Sequence, residues 1–239
     1  MDPLTAMAAS GMRARQEALD MIANNLANAG TAGFKADREF YNLYLAPAAS
    51  GGRMPLIERP WTDFRQGTVT ATGNSLDLAL SGRGFFAVEG PSGPLYTRNG
   101  GFKLSAAGEL TSQEGYPLLD RNGRRIRLDP AAPFEVDAQG VVRQRGAEIA
   151  RLRLVDFASP EGLAKREAGY FQLVSPVAGL REAAPEVRQG YLEASNVGPA
   201  ETAVRLVTVM RHFEMLQRAL VLGGEMNRRA VEEVAKTSG

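Results

Sequence analysis

One histidine and no cysteine stand among 239 residues, and that inventory removes much of side-chain catalysis at the start. A Ser-His-Asp relay or a zinc site of the usual kind would need His212, which sits in a helical pattern between Arg211 and Phe213. We read it as an exposed or interface side chain. Without cysteine there are no disulfides, thiolate nucleophiles or cysteine-containing metal centres. Acids could supply an acid–base pair, yet Asp63, Asp77, Glu89, Glu109, Asp120, Asp129, Glu135 and Asp137 fall at irregular intervals with no pattern that marks two partners. Gly82-Arg83-Gly84-Phe85-Phe86 lacks a third glycine in the dinucleotide register and runs into strand residues. The densest basic cluster, Arg121 to Arg127, straddles Asn122-Gly123, a type I′ turn signal, and reads as a solvated hairpin tip. No catalytic, cofactor-binding or metal-ligating residue is assigned.

Charge adds no partner. Lys plus Arg number 28 against 27 Asp plus Glu, so no net field gathers nucleic acid or an anionic membrane. The start, Met1-Asp2-Pro3-Leu4-Thr5, lacks the basic and apolar blocks of a cleavable signal, and no apolar run is long enough for stable membrane insertion.

The elements that could position a site lie at the two ends. Leu206, Val209, Phe213, Leu216 and Leu220 step by three and four residues, one stripe of a helix that runs to about Lys236. Asn196 could cap it, or Pro199 could be its first residue. Leu4, Met12, Leu19, Ile22 and Leu26 mark a second helix, stopped by Gly30 and Gly33. Such stripes need partners, because most helical stability comes from burying the apolar face. They could pack on each other within one chain or on neighbouring copies. Asn24, Asn25 and Asn28 are poor helix formers that either cap the helix end or bond another chain. Gly223-Gly224 interrupts the long stripe and predicts a kink or an early helix end.

Between the ends the period changes. Residues 36–67, punctuated by Pro47, Gly51-Gly52, Pro55 and Pro60, read as an extended connector. From 68 to 191, alternation in Leu76 to Leu80, Phe86 to Val88 and Leu152 to Phe157 alternates with turn signals at Pro91 to Pro94, Asn99-Gly100, Asn122-Gly123 and Gln139-Gly140. The Gly162–Lys165 stretch has room for one helical turn. The fold class is α+β: a discontinuous helical terminal domain, 1–35 with 192–239, paired in a coiled-coil-like manner, and a mainly antiparallel β sandwich or barrel-like middle domain.

Ala23-Asn24-Asn25-Leu26-Ala27-Asn28, closed by Gly33-Phe34-Lys35, resembles the N-terminal signature of bacterial flagellar rod and hook proteins. Phe64-Arg65-Gln66-Gly67, Thr72 to Leu80, Gly82 to Val88, Tyr96 to Phe102 and Gly108-Glu109-Leu110 resemble that family's middle block in order, and Gly190 to Val197 its C-terminal mark. The length is similar to the shorter, proximal members rather than the distal-rod and hook members.

The resemblance implies a structural subunit, not an enzyme, whose helical ends form an inner layer around a central channel while the β middle faces outward. It implies assembly with copies of itself and other flagellar rod proteins, no cofactor, and passage unfolded through the flagellar type III export apparatus to the periplasmic basal body. The interface residues implied are Leu19, Ile22, Leu26, Leu206, Val209, Phe213, Leu216 and Leu220, with Asn24, Asn25 and Asn28 fixing register. Phe40 and Tyr44 match a short element read by the export gate in axial proteins; packing of the connector explains them equally well. The alternative function is a β-sandwich hydrolase or carbohydrate-binding module with helical termini, which requires a deep pocket with shifted carboxylates.

Overall fold

The computed structural model describes residues 3–39, 41–45, 53–57, 61–159, 162–175 and 179–237. They divide into two units: 1–27, 37–63 and 197–239 form one, and 28–36 with 64–196 form the other.

The first unit holds both long helices. Helix α1, Pro3–Ala27, opens on a proline, whose fixed φ suits a first helical position, and stops before Asn28-Ala29-Gly30. Its end is tied by Asn25, whose Nδ2 donates to the Asp37 carbonyl at 2.7 Å while its Oδ1 accepts the Asp37 N–H at 2.9 Å. Helix α2, Pro199–Thr237, begins at Pro199, so the proline alternative holds and Asn196 is no cap. Glu201 in its first turn and Lys236 in its last both oppose the helix dipole.

Helix α2 passes through Gly223-Gly224 as continuous helix, which corrects the expected early end. Two glycines cost about 1 kcal/mol each relative to alanine. That is too little to stop a helix flanked by good helix formers and free of internal proline. An Arg228–Glu232 ion pair at 3.0 Å, one turn apart, supports the far side.

The 37–62 stretch carries two antiparallel ladders: Asp37–Arg38 pairs with Trp61–Thr62, and Tyr41–Leu45 with Arg53–Ile57. Phe40 and the side chain of Tyr44, the proposed export element, lie outside the described residues.

The second unit is β throughout. A six-stranded antiparallel sheet runs in the order Leu163–Lys165, Tyr170–Leu173, Gly93–Thr97, Phe85–Gly90, Leu154–Phe157, Leu180–Glu182. A three-stranded sheet joins Phe134–Val136, Val141–Gln144 and Ala147–Arg151, and short ladders pair Leu78–Ser81 with Glu186–Gln189 and Val69–Ala71 with Tyr191–Glu193. Alternation along Phe85–Gly90 sends Phe86 and Val88 into one buried cluster with Leu78, Leu110, Leu118 and Val142, and Phe85 and Ala87 into another with Phe157 and Phe171. Both faces of this central strand are therefore covered.

Four turns share one design. Ser105, Ser112, Asp120 and Asp137 each accept, through the side-chain oxygen, the amide of the residue four further on. Each also accepts, through its carbonyl, the N–H of a glycine three residues on, whose φ lies between 75° and 91°. At Asp120–Gly123 only Gly123 has positive φ, so the turn is not the I′ form its Asn-Gly pair suggested, which needs both central residues there. Residues 163–165 are strand, and the helical turn expected there sits instead at Glu167–Gly169.

Candidate assembly surface and a buried charge junction

Apolar spacing builds the first site. Ala18 and Ile22 of α1 and Val209 of α2 form a buried cluster, flanked by half-buried Leu19 and Leu206. Four of the expected interface residues thus meet inside one subunit. Phe213, Leu216 and Leu220 continue the stripe half-buried, and Leu26 is half-buried on α1. Asn25 is spent on Asp37, and Asn28 Oδ1 accepts the Thr31 hydroxyl at 3.2 Å. Asn24 lies exposed at the end of α1.

At 1.5 Å per residue α2 is ~58 Å long and α1 ~37 Å, so α1 cannot sheathe the longer helix. Apolar side chains also lie off the expected stripe. Val204 (69% exposed), Met215, Leu222 and Met226 (71% exposed) recur near whole turns on the side opposite Val209 and Phe213, with Val207, Met210 and Val221 beside them. The sequence reading missed this second face because it sought one stripe. Charged residues interleave it, and only burial separates the two sides.

The second site lies wholly in the β unit and was also missed. Residues 33–36, 65–68 and 193–196 come together. Gly33 N–H donates to the Glu193 carbonyl (2.7 Å), Asn196 N–H to the Phe34 carbonyl (3.3 Å) and Ala194 N–H to the Thr68 carbonyl (2.8 Å). Asn196 Oδ1 accepts the Ala36 N–H (2.7 Å) and its Nδ2 donates to the Arg65 carbonyl (3.1 Å). Two glycines make the approach possible: a Cβ on Gly33, at φ +67°, would lie 2.3 Å from the Arg98 carbonyl carbon, and one on Gly67 2.0 Å from the Ala194 oxygen.

Three charges are buried at its centre. Glu193 Oε1 accepts from Lys35 Nζ at 2.5 Å and from the Gly67 N–H at 3.0 Å; Oε2 sits 3.0 Å from Arg98 Nε. Lys35 Nζ also donates to the Arg65 carbonyl, and the Arg98 guanidinium to the carbonyls of Gly82 and Gly84. Lys35 and Glu193 are 1% exposed and Arg98 4%. Burial pulls the Arg98 pKa down, and the Glu193 charge opposes it. A buried charge is tolerable only when paired and hydrogen-bonded, and here each one is. A weak signal stood in the sequence: a lone glutamate in the strand-like Tyr191-Leu192-Glu193, and a lysine straight after Gly-Phe.

Several of the acids are paired with arginines. Glu89 and Glu109 converge on Arg125, whose hydrogen bond holds the Glu89 carboxyl below its usual range. Burial pushes Asp137 up, but the Val141 N–H, Arg143 and the Gln139 N–H together bring it below the ordinary value. Asp129 pairs with Arg145 at 2.6 Å and Asp63 with Arg38 at 3.0 Å. Glu89 and Asp137 are thus shifted in the direction opposite to the raised pKa that a general acid needs. His212 is half-buried on α2. Among the described residues no group of three acids or histidines could hold a metal ion, and no helix is long and apolar enough to cross a membrane.

Two helices with apolar faces and a separate β unit are the features set against known families. Residues 6–35 match the family described as flagella basal body rod protein, 79–144 the flagellar hook protein FlgE/F/G D1 domain, and 188–233 the flagellar basal body rod FlgEFG protein C-terminal. The chain belongs to the flagellar basal-body rod protein family. It is 34% identical to the flagellar basal-body rod protein FlgF of Caulobacter vibrioides over 94% of each chain. Against FlgF of Mesorhizobium japonicum it is 32% identical over 87% of this chain and 88% of the relative. Against FlgG of Borreliella burgdorferi the values are 31%, 92% and 94%.

Proposed function

We propose that this protein is a structural subunit of the bacterial flagellar basal-body rod, of the FlgF type, that polymerises through its terminal helices into the axial shaft carrying motor torque to hook and filament. The observation that carries the reading is α2, apolar on two sides with only one stripe covered by α1. A second apolar face on a helix this long is what contact with other copies or other rod proteins requires, and a head-to-tail contact that does not close gives a filament. In this reading the helical parts of 1–35 and 192–239 form the rod core, supercoiled in a coiled-coil-like layer, while their roots 33–36 and 193–196 belong to the β unit. Most of the expected 36–67 connector, residues 37–63, belongs to the helical unit. Leu26, Phe213, Leu216 and Leu220, half-buried in the single subunit, complete on assembly the seam that Leu19, Ile22, Leu206 and Val209 begin within it, and Asn24 adds polar register.

The site of action is the periplasmic rod, reached through the type III exporter, with no cofactor, nucleic acid or lasting membrane insertion. Family membership favours this function over the hydrolase or carbohydrate-binding alternative. The test replaces Phe213 and Leu216 with aspartate. The subunit should keep its β circular dichroism yet fail to copurify with detergent-resistant basal bodies, and cells should stop swimming. Normal swimming would sink the assignment.

A further inference from the structure

The buried junction holds two cations and one anion, drawn from chain positions far apart. Lys35 and Glu193 are separated by 158 residues, and Arg98 comes from between them. Each root segment also uses the other's backbone: Gly33 donates to Glu193 and Asn196 to Phe34. Neither root can leave alone without breaking the charge cluster and the backbone bonds to the other root. Were 33–36 to peel away, the Arg98–Glu193 pair would lose a cation and the Gly33 donor together. Were 193–196 to peel away, Lys35 and Arg98 would face each other with no counter-ion between them.

From this geometry we infer that Glu193 is a positioning residue that locks segments 33–36 and 193–196 to the β unit as one cooperative element in the free subunit, before any other copy is met. The charge count sets a ranking. Removing Lys35 leaves the neutral Arg98–Glu193 pair and removing Arg98 leaves the neutral Lys35–Glu193 pair, whereas removing Glu193 takes away the one carboxylate that touches both buried cations.

The experiment is hydrogen exchange with mass-spectrometric readout on the full-length soluble subunit, so it stands or falls independently of entry into a rod. In the wild type, peptides covering 33–36 and 193–196 should be protected together with the core strand Phe85–Gly90. In Glu193→Gln both should lose protection by about 100-fold, including the distant 33–36 segment, while the local turn Ser112–Tyr116 stays protected. Lys35→Met and Arg98→Met should each cost less, and each should still deprotect both roots. If Glu193→Gln fails to fold, Lys35→Met carries the test, with loss at 193–196 as the supporting result. Deprotection confined to the substituted segment, Lys35→Met costing more than Glu193→Gln, or free exchange of 33–36 in the wild type would each overturn the proposal.

Discussion

Replacing Gly67 with alanine isolates how closely the junction is packed. An added Cβ would stand 2.0 Å from the Ala194 carbonyl oxygen, whereas real Cβ atoms essentially never come within 3.0 Å of another heavy atom, so the 193–195 backbone must retreat by about 1 Å. That shift strains the Ala194-to-Thr68 bond, worth about 1 kcal/mol. It also strains the Gly67 N–H bond to the Glu193 carboxylate, worth roughly 1.5–3 kcal/mol because one partner is charged. The expected loss is about 2.5–4 kcal/mol. Gly115 supplies the control: its φ is +91°, yet a Cβ there meets nothing within 4 Å, so Gly115→Ala should cost only the left-handed strain of about 1–2 kcal/mol. Urea unfolding of the full chain, followed by far-ultraviolet circular dichroism, compares the two. If Gly67→Ala were no more costly than Gly115→Ala, close packing at the junction would be refuted.

Two further outcomes follow from the described geometry. Burial first, then its hydrogen bond to Glu114, pushes the Tyr170 phenol well above its ordinary value, and burial raises Tyr96 against a smaller opposing effect of Arg153. A group with a raised folded pKa contributes stability that is complete below its unfolded value, about 10 for tyrosine, and is lost as pH climbs beyond it. The urea midpoint should hold from neutral pH to about 9 and fall above about 10, less steeply in Tyr170→Phe; an unchanged slope in that variant would remove Tyr170 as the source. Because α2 continues through Gly223-Gly224, replacing both with alanine should raise the helicity of a C-terminal peptide, by up to about 1 kcal/mol per site. No gain would mean that the helix is not continuous there in solution.

The helices were legible because a 3.6-residue period survives over many turns, and the meeting of Leu19, Ile22, Leu206 and Val209 within one subunit is one of the two packings that period left open. The β middle was legible from its turn residues, although Asn122-Gly123 shows that a dipeptide alone does not choose the turn: Asp120 two residues earlier decides it through its side chain. What periodicity could not reveal is long-range charge pairing. Lys35, Arg98 and Glu193 look like ordinary charged residues until the topology brings them together, and Asn196, read as a possible helix cap, is committed to Ala36 and Arg65 instead. The outer face of α2 escaped for a related reason. Valines and methionines spaced among arginines and glutamates form no clean stripe, and only their exposure in the fold shows that they are uncovered.

The four Ser- or Asp-initiated turns of the β unit carry a kinetic consequence. Each closes a loop of a few residues, so the hairpins around them can form within microseconds of becoming free, with little chain entropy to overcome. The Lys35–Glu193 closure spans most of the polypeptide and must wait until the last strand is present. A subunit emerging as a thread from a narrow conduit would thus rebuild its middle piecemeal and tie the knot between head and tail at the finish, when nearly all of its length has come through.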